Sequence, residues 1–184
     1  EIYVGSNASS ATASAKVTSN ENNVVLSKVT SITNADANAN GTAVPTGTQR
    51  AIAQFKFATA SASNTKNGPN KFTLSGVIFN VNATNVLIGS GDQTLQGSSD
   101  FRFYNKANQS VKFNCLSDKV TSSGSNIVVT CANLITRSNT TGSLINTQID
   151  PGTDATFVLE ADVTNGKISN SSTSTLQVSL QQFT

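Results

Sequence analysis

Histidine, methionine and tryptophan do not occur in this chain of 184 residues. The lack of histidine excludes Ser-His-Asp and Cys-His catalysis, and with them every imidazole-ligated metal site. Charge is scarce too: Asp, Glu, Lys and Arg make up 12% of the sequence, and 12 basic and 10 acidic residues leave a formal net charge of +2. They lie scattered and form no basic face, so no nucleic acid is expected as a partner. Nor does any apolar run approach the roughly 20 residues that carry a helix across a bilayer, which excludes a membrane span of that kind. The chain does not open with a basic region and an apolar stretch. It is therefore expected to be a mature secreted form whose export signal has been removed.

What the sequence does contain is hydroxyl and amide side chains around short apolar runs. Apolar residues reach only 36%, yet Phe, Val, Ile and Leu recur with a period of two, and no segment repeats apolar residues at helical spacing. The alternation predicts strands at Gln49 to Ala60, Lys71 to Val81, Phe101 to Tyr104, Ser110 to Cys115, Asn126 to Ala132 and Ser143 to Ile149. Two more follow. Phe157, Leu159, Ala161 and Val163 alternate with Val158, Glu160 and Asp162, and Leu176, Val178 and Leu180 alternate with Gln177, Ser179 and Gln181. In each, one face is expected inside and the other in water. Turn chemistry separates the runs, at Asn165-Gly166, which favours positive φ at both positions of a primed hairpin turn, and at Asp150-Pro151-Gly152 and Asn67-Gly68-Pro69, while Asn34 to Pro45 reads as an exposed connection or a loosely held edge. The expectation is an all-β chain, an immunoglobulin-like or pilin-like β-sandwich with one core.

The two cysteines, Cys115 and Cys131, stand in phase with the buried faces of neighbouring predicted strands. A disulfide between them fits that placement and implies an oxidising compartment; two buried free thiols are the alternative.

The first part of the chain differs from the rest. Residues 1–23 form an expected N-terminal extension and residues 24–184 the sandwich domain. Within the extension Ala11, Ala13, Ala15 and Val17 alternate with Thr12, Ser14, Lys16 and Thr18. An alanine stripe offers under about 1 kcal/mol per methyl group, so such a strand needs a groove, in its own domain or in a neighbour's.

Candidate chemistry is thin. Acids such as Asp92, Asp100, Asp118, Asp150, Asp154, Glu160 and Asp162 could in principle pair for glycoside hydrolysis, but they sit at turns or on outward phases and read as solvated. Asp150 to Asp154 matches no calcium loop, and no cofactor or metal is expected. Lys28, Lys56 and Lys112 read as solvated rather than as partners in an isopeptide bond. Six Asn-x-Ser/Thr sequons, at Asn7, Asn40, Asn82, Asn108, Asn139 and Asn170, are candidates for N-glycans. With few titrating side chains, the surface is expected to tolerate acid.

The alternating tail, Ala11-Thr12-Ala13-Ser14-Ala15-Lys16-Val17, ahead of a Ser/Thr/Asn-rich sandwich, resembles subunits of filaments joined by donor strand complementation. The likeness is to archaeal thread filament subunits and, more distantly, to chaperone-usher pilins, whose bulkier donor side chains are missing here. It implies a non-enzymatic subunit of an extracellular, cell-surface appendage that polymerises head-to-tail with copies of itself and serves adhesion or cell-cell contact. In that case Ala11, Ala13, Ala15 and Val17 would insert into the next copy. The alternatives are a surface-layer protein and a monomeric adhesin or carbohydrate-binding module.

Overall fold

The computed structural model describes residues 2–3, 16–17, 28–36, 43–60, 72–89, 100–118, 125–134 and 146–184. The described residues contain strands and turns and no helix. In chain order the strands are β1 (Ile2–Tyr3), β2 (Lys16–Val17), β3 (Val29–Asn34), β4 (Gly47–Thr59), β5 (Phe72–Thr73), β6 (Val77–Thr84) and β7 (Leu87–Ile88). They continue with β8 (Phe101–Asn105), β9 (Phe113–Ser117), β10 (Ser125–Cys131), β11 (Gln148–Ile149), β12 (Asp154–Asn165) and β13 (Thr175–Phe183).

Nine of these make one antiparallel sheet in the order β13-β6-β10-β9-β8-β12-β4-β3, with β7 beside one end of β12. β6 and β4 stand far apart in that order, yet Phe55 of β4 stacks on Phe79 of β6 with ring centroids 5.7 Å apart. The sheet must therefore curl over until its two halves face each other, which is a sandwich-like arrangement. Inside, Phe79 meets Phe103, Phe103 stacks on Phe157 at 5.3 Å, and Phe157 meets Phe57 edge-on. Val77, Val81, Ile127, Val129, Leu159 and Val163 fill the space around the rings. Each such side chain contributes about 1.5–3 kcal/mol by leaving water.

The expected period of two holds through β4, β6, β8, β10 and β12, whose inward residues are almost all buried. Cys115 and Cys131 lie opposite each other on β9 and β10 and form a disulfide. Asp150-Pro151-Gly152 turns as its residues dictate: Gly152 takes φ 71°, and Thr153 N–H donates to the Asp150 carbonyl, the pattern of a type II turn with Pro and Gly at its centre.

Four expectations need correction. The run Lys71 to Val81 is not one strand. It breaks at Leu74–Gly76, where the Leu74 and Ser75 N–H groups donate to Thr147 and Thr184 instead of to a ladder, and the break changes the phase: the alternation Phe72, Leu74 and Ile78 suggests one buried face, whereas Leu74 is buried before the break and Val77, Phe79 and Val81 after it. The strand expected from Ser110 begins at Phe113 and runs to Ser117. Asn165-Gly166 is not a primed hairpin turn, since neither residue has positive φ; the Asn165 side chain instead accepts the Lys167 N–H at 2.9 Å. The outward face of β12 is not in water either: Val158 and Glu160 are each 2% exposed. The strand β3 is not among the strands that the alternation predicts. Of the predicted strand Ser143 to Ile149, the last two residues form β11, which pairs with β5, and residues 143–145 lie outside the described ones.

Candidate functional site

The most concentrated chemistry lies on the outward face of β4, β12, β8 and β9. The register sets Glu160 beside Arg102 and Val158 beside Tyr104, and Lys112 enters just ahead of β9, next to Tyr104. Glu160 Oε2 lies 2.7 Å from Lys112 Nζ, and Oε1 lies 3.4 Å from the Arg102 guanidinium. Arg102 also grips both oxygens of Asp162 at 3.2 Å, the two-pronged geometry that suits a guanidinium to a carboxylate. Lys112 Nζ sits 5.0 Å above the Tyr104 ring, within cation–π range.

Two irregularities in the β4–β12 pairing shape the fourth side of the cluster. At the second, Gln49 takes φ 54°, and its N–H is held by Asp162 Oδ1 at 2.6 Å. A bulge re-aims a side chain, and the Gln49 carboxamide oxygen accepts from Lys112 Nζ at 3.2 Å.

Environment shifts three of these groups. Burial pushes the Asp162 carboxyl up, but the Arg102 hydrogen bond, the Gln49 N–H and the charges of Arg102 and Lys112 outweigh it and leave it below the ordinary carboxylate range. The hydrogen bond to Asp162 raises Arg102, against burial and together with the charges of Asp162 and Glu160. Burial, then the Glu160 charge, raises the Tyr104 phenol, with Lys112 opposing. The cluster is a balanced set of two cations and two anions, closely hydrogen-bonded. Among the described residues no group of three or more Cys, Asp or Glu is placed to hold a metal ion.

A second feature is the contrast between the halves of the sheet. The outward faces of β13, β6 and β10 carry no charge: Gln177, Asn82 and Asn126 stand in one row, and Ser179, Asn80 and Val128 in the next. Beyond them, on β9, Leu116 is 57% exposed.

The third feature is β13 itself. It pairs with β6 on one side, and among the described residues nothing pairs with its other edge or with the outer edge of β3. Leu176, Val178 and Leu180 of β13 are only partly buried, while their register partners Ala83, Val81 and Phe79 on β6 are fully so. On the opposite half Ile32 and Phe55 are partly buried too.

At one end Asn85 organises the loop before β13. It is 2% exposed with φ 55°. Its Nδ2 donates to the carbonyls of Ser169 and Ser172 and to Ser174 Oγ, and its Oδ1 accepts the Ser169 N–H. Beside that loop lies an open depression of about 720 Å³ lined by Val44, Thr46, Lys167, Asn170 and the hydroxyls of Ser171 to Ser174.

Of the residues singled out from the sequence, Val17 lies in β2 opposite Ile2, and Lys16 opposite Tyr3; β1 and β2 pair only with each other among the described residues. Ala11, Ala13 and Ala15 lie outside the described residues, as do Asn7, Asn40, Asn139 and Asp92. Asn82 and Asn170 are exposed. Asn108 is half-buried and committed, its Nδ2 donating to Asn146 Oδ1 at 2.7 Å and its Oδ1 accepting from Ser110. Asp118 accepts the Val128 N–H, and Asp154 pairs with Lys56. The sequence alone does not reveal the ion cluster, because Glu160, Asp162 and Lys112 read singly as solvated and Arg102 is not singled out. Their shared outward phase on consecutive sheet partners was the available signal.

No family model, no curated protein and no solved structure matches this chain.

Proposed function

We propose that this chain is a non-enzymatic structural subunit of an extracellular filament, joined head-to-tail by donation of a strand from the N-terminal extension, and serving adhesion or cell-cell contact. The observation that carries the reading is the half-open apolar row Leu176, Val178 and Leu180 on a strand whose outer edge is free among the described residues. An exposed edge of that kind invites strand addition. Its occupant is the Ala11 to Val17 segment of a second copy, whose four alternating small side chains suit a shallow slot. The disulfide supports an oxidising exterior, and the uncharged amide face with exposed Asn82 and Asn170 supports a glycan-bearing surface.

The test is electron microscopy of full-length material beside two variants, Ala13→Asp in the donor and Val178→Asp in the acceptor. Thin strings from the unaltered chain and isolated particles from both variants are expected. Strings of undiminished length from either variant refute strand donation, and flat arrays from the unaltered chain replace the filament with a surface layer.

A further inference from the structure

We propose that the depression beside the loop between β12 and β13 binds a saccharide unit carrying an anionic group, a carboxylate or a sulfate. Its volume of about 720 Å³ falls within the range of about 300–1,000 Å³ usual for small-molecule sites. One wall is the loop that follows β12, and the other is the segment Ala43 to Thr46 ahead of β4. Gly166 lets the walls meet: a Cβ there would stand 2.5 Å from Thr46 Cγ2 and 3.5 Å from the Val44 carbonyl oxygen. A larger residue would push them apart.

A surface loop rich in serine is ordinarily among the most mobile parts of a fold. This one is held. Besides the four side-chain bonds described above, the Asn85 carbonyl accepts the Ile168 N–H at 3.0 Å and the Ser174 hydroxyl at 3.3 Å. One buried residue therefore fixes the loop at Ile168, Ser169, Ser172 and Ser174, and takes up a left-handed φ of 55° in doing so. Strain of that kind persists where surrounding contacts over-determine it, and it clusters at ligand sites. The hydroxyls of Thr46, Ser172 and Thr173 are left at exposed positions, where they make no hydrogen bond among the described residues. Polar groups ordered before a ligand arrives lose less entropy when it binds.

The lining selects the ligand class. Hydroxyls and the carboxamides of Asn165 and Asn170 stand beside small apolar surface from Ala43 and Val44, and no aromatic ring is present. Such walls can donate to and accept from the hydroxyls of a sugar ring, and they offer little to a flat apolar ligand. Lys167 is the one charged lining residue among those described, with no carboxylate beside it in the lining. An ammonium without a counter-ion attracts an anionic group. Asn170 also begins a sequon, so a glycan attached there would compete for the same space. The inference rests on the adhesion part of the reading above, naming what is adhered to, and not on strand donation.

The experiment is equilibrium dialysis of the full-length chain, made in a host without N-glycosylation, against two labelled probes, trigalacturonate and sulfated galactotriose. Binding of at least one is expected with a Kd on the order of 1 mM or tighter. It should weaken about tenfold in Lys167→Ala, the scale of one charge-assisted hydrogen bond, vanish in Ser172→Trp, which fills the depression, and stay unchanged in Lys56→Ala, on another face. Unlabelled neutral galactotriose should compete about tenfold less well. No binding of either probe, or undiminished binding by Ser172→Trp, overturns the site. Equal losses in Lys56→Ala and Lys167→Ala reveal diffuse charge attraction and overturn it too, while displacement by inorganic sulfate as effective as by the unlabelled trisaccharides overturns the saccharide. Micrographs of the same samples report on strand donation separately: strings that bind neither probe count against the site alone, and isolated particles that bind count against the filament alone.

Discussion

The ring of Phe183, at the end of β13, meets the ring of Phe57 on β4 edge-on at 5.6 Å. This is the point at which the two halves of the curled sheet are pinned, beside the edge of β13 that is unpaired among the described residues. Phe57 is fully buried, whereas Phe183 and the three apolar residues before it on β13 are only partly so. Strand β13 is therefore fastened at its C-terminal end and loosely covered along the rest. Phe57→Ala should cost about 3–5 kcal/mol, the range for a buried aromatic. Phe183→Ala should cost less than half of that and should loosen β13 selectively. Hydrogen exchange checks it: amides of Leu176 to Leu180 should exchange faster in Phe183→Ala while those of β12 keep their protection. Uniform loss across both strands would contradict the pinning.

Cys115 and Cys131 are both completely buried and lie 16 positions apart in sequence. In the chain-entropy model a link of that span stabilises by about 3 kcal/mol. The double variant Cys115→Ser, Cys131→Ser should lower the urea midpoint accordingly, with an equal or steeper slope, because the unfolded chain without the bridge is less compact and exposes more surface. A midpoint within error of the unaltered chain would show that the bridge adds nothing beyond its packing.

Where one face of a strand is buried, the two-residue period of β4, β8, β10 and β12 was enough to find it, and Cys115 and Cys131 fell in phase for the same reason. The edge strand β3 escaped because its sequence, Val29 to Asn34, carries only two apolar residues among Thr, Ser and Asn, and only Val29 and Ile32 pack on the core. The burial of Val158 and Glu160 escaped for a different reason. Alternation says which face a residue is on, and the covering of the outer face depends on long side chains from sequence-distant strands. Lys112 and Gln49 are 63 positions apart, and no local pattern predicts their meeting.

Asn85 shows the same limit at a single residue, because nothing around Thr84-Asn85-Val86 distinguishes it from the other asparagines of the chain. Four side-chain hydrogen bonds tie it to Ser169, Ser172 and Ser174. Each contributes about 1 kcal/mol net, and partners left buried and unpaired cost more. Asn85→Ala loses all four and also places a Cβ-bearing residue with no local compensation at φ 55°. A loss of about 3 kcal/mol is expected, with protease cleavage appearing within Ser169 to Ser174 well before the core opens. Asn85→Asp keeps the acceptor but sets a buried carboxylate oxygen against the Ser169 and Ser172 carbonyls, so it should cost at least as much as Asn85→Ala. Equal stability of Asn85→Ala and the unaltered chain would remove Asn85 from this role.

The acid limb of stability should report on Asp162. Its folded carboxyl lies below its ordinary value because Arg102, the Gln49 N–H and Lys112 outweigh the burial that pushes it up. A group depressed in this way binds its proton more readily in the unfolded chain, so its contribution is complete above the ordinary value of about 3.9 and is lost as the pH falls through the lower folded one. Thermal midpoints of the unaltered chain and of Asp162→Asn should therefore differ most near neutral pH and converge between about pH 5 and pH 2. The chain has only 10 acidic residues, so few other carboxylates add to this limb. The unaltered protein should consequently remain folded in mild acid while the gap to the variant closes. Two melting curves that stay parallel throughout that range would show that the Arg102 pair contributes nothing to folding.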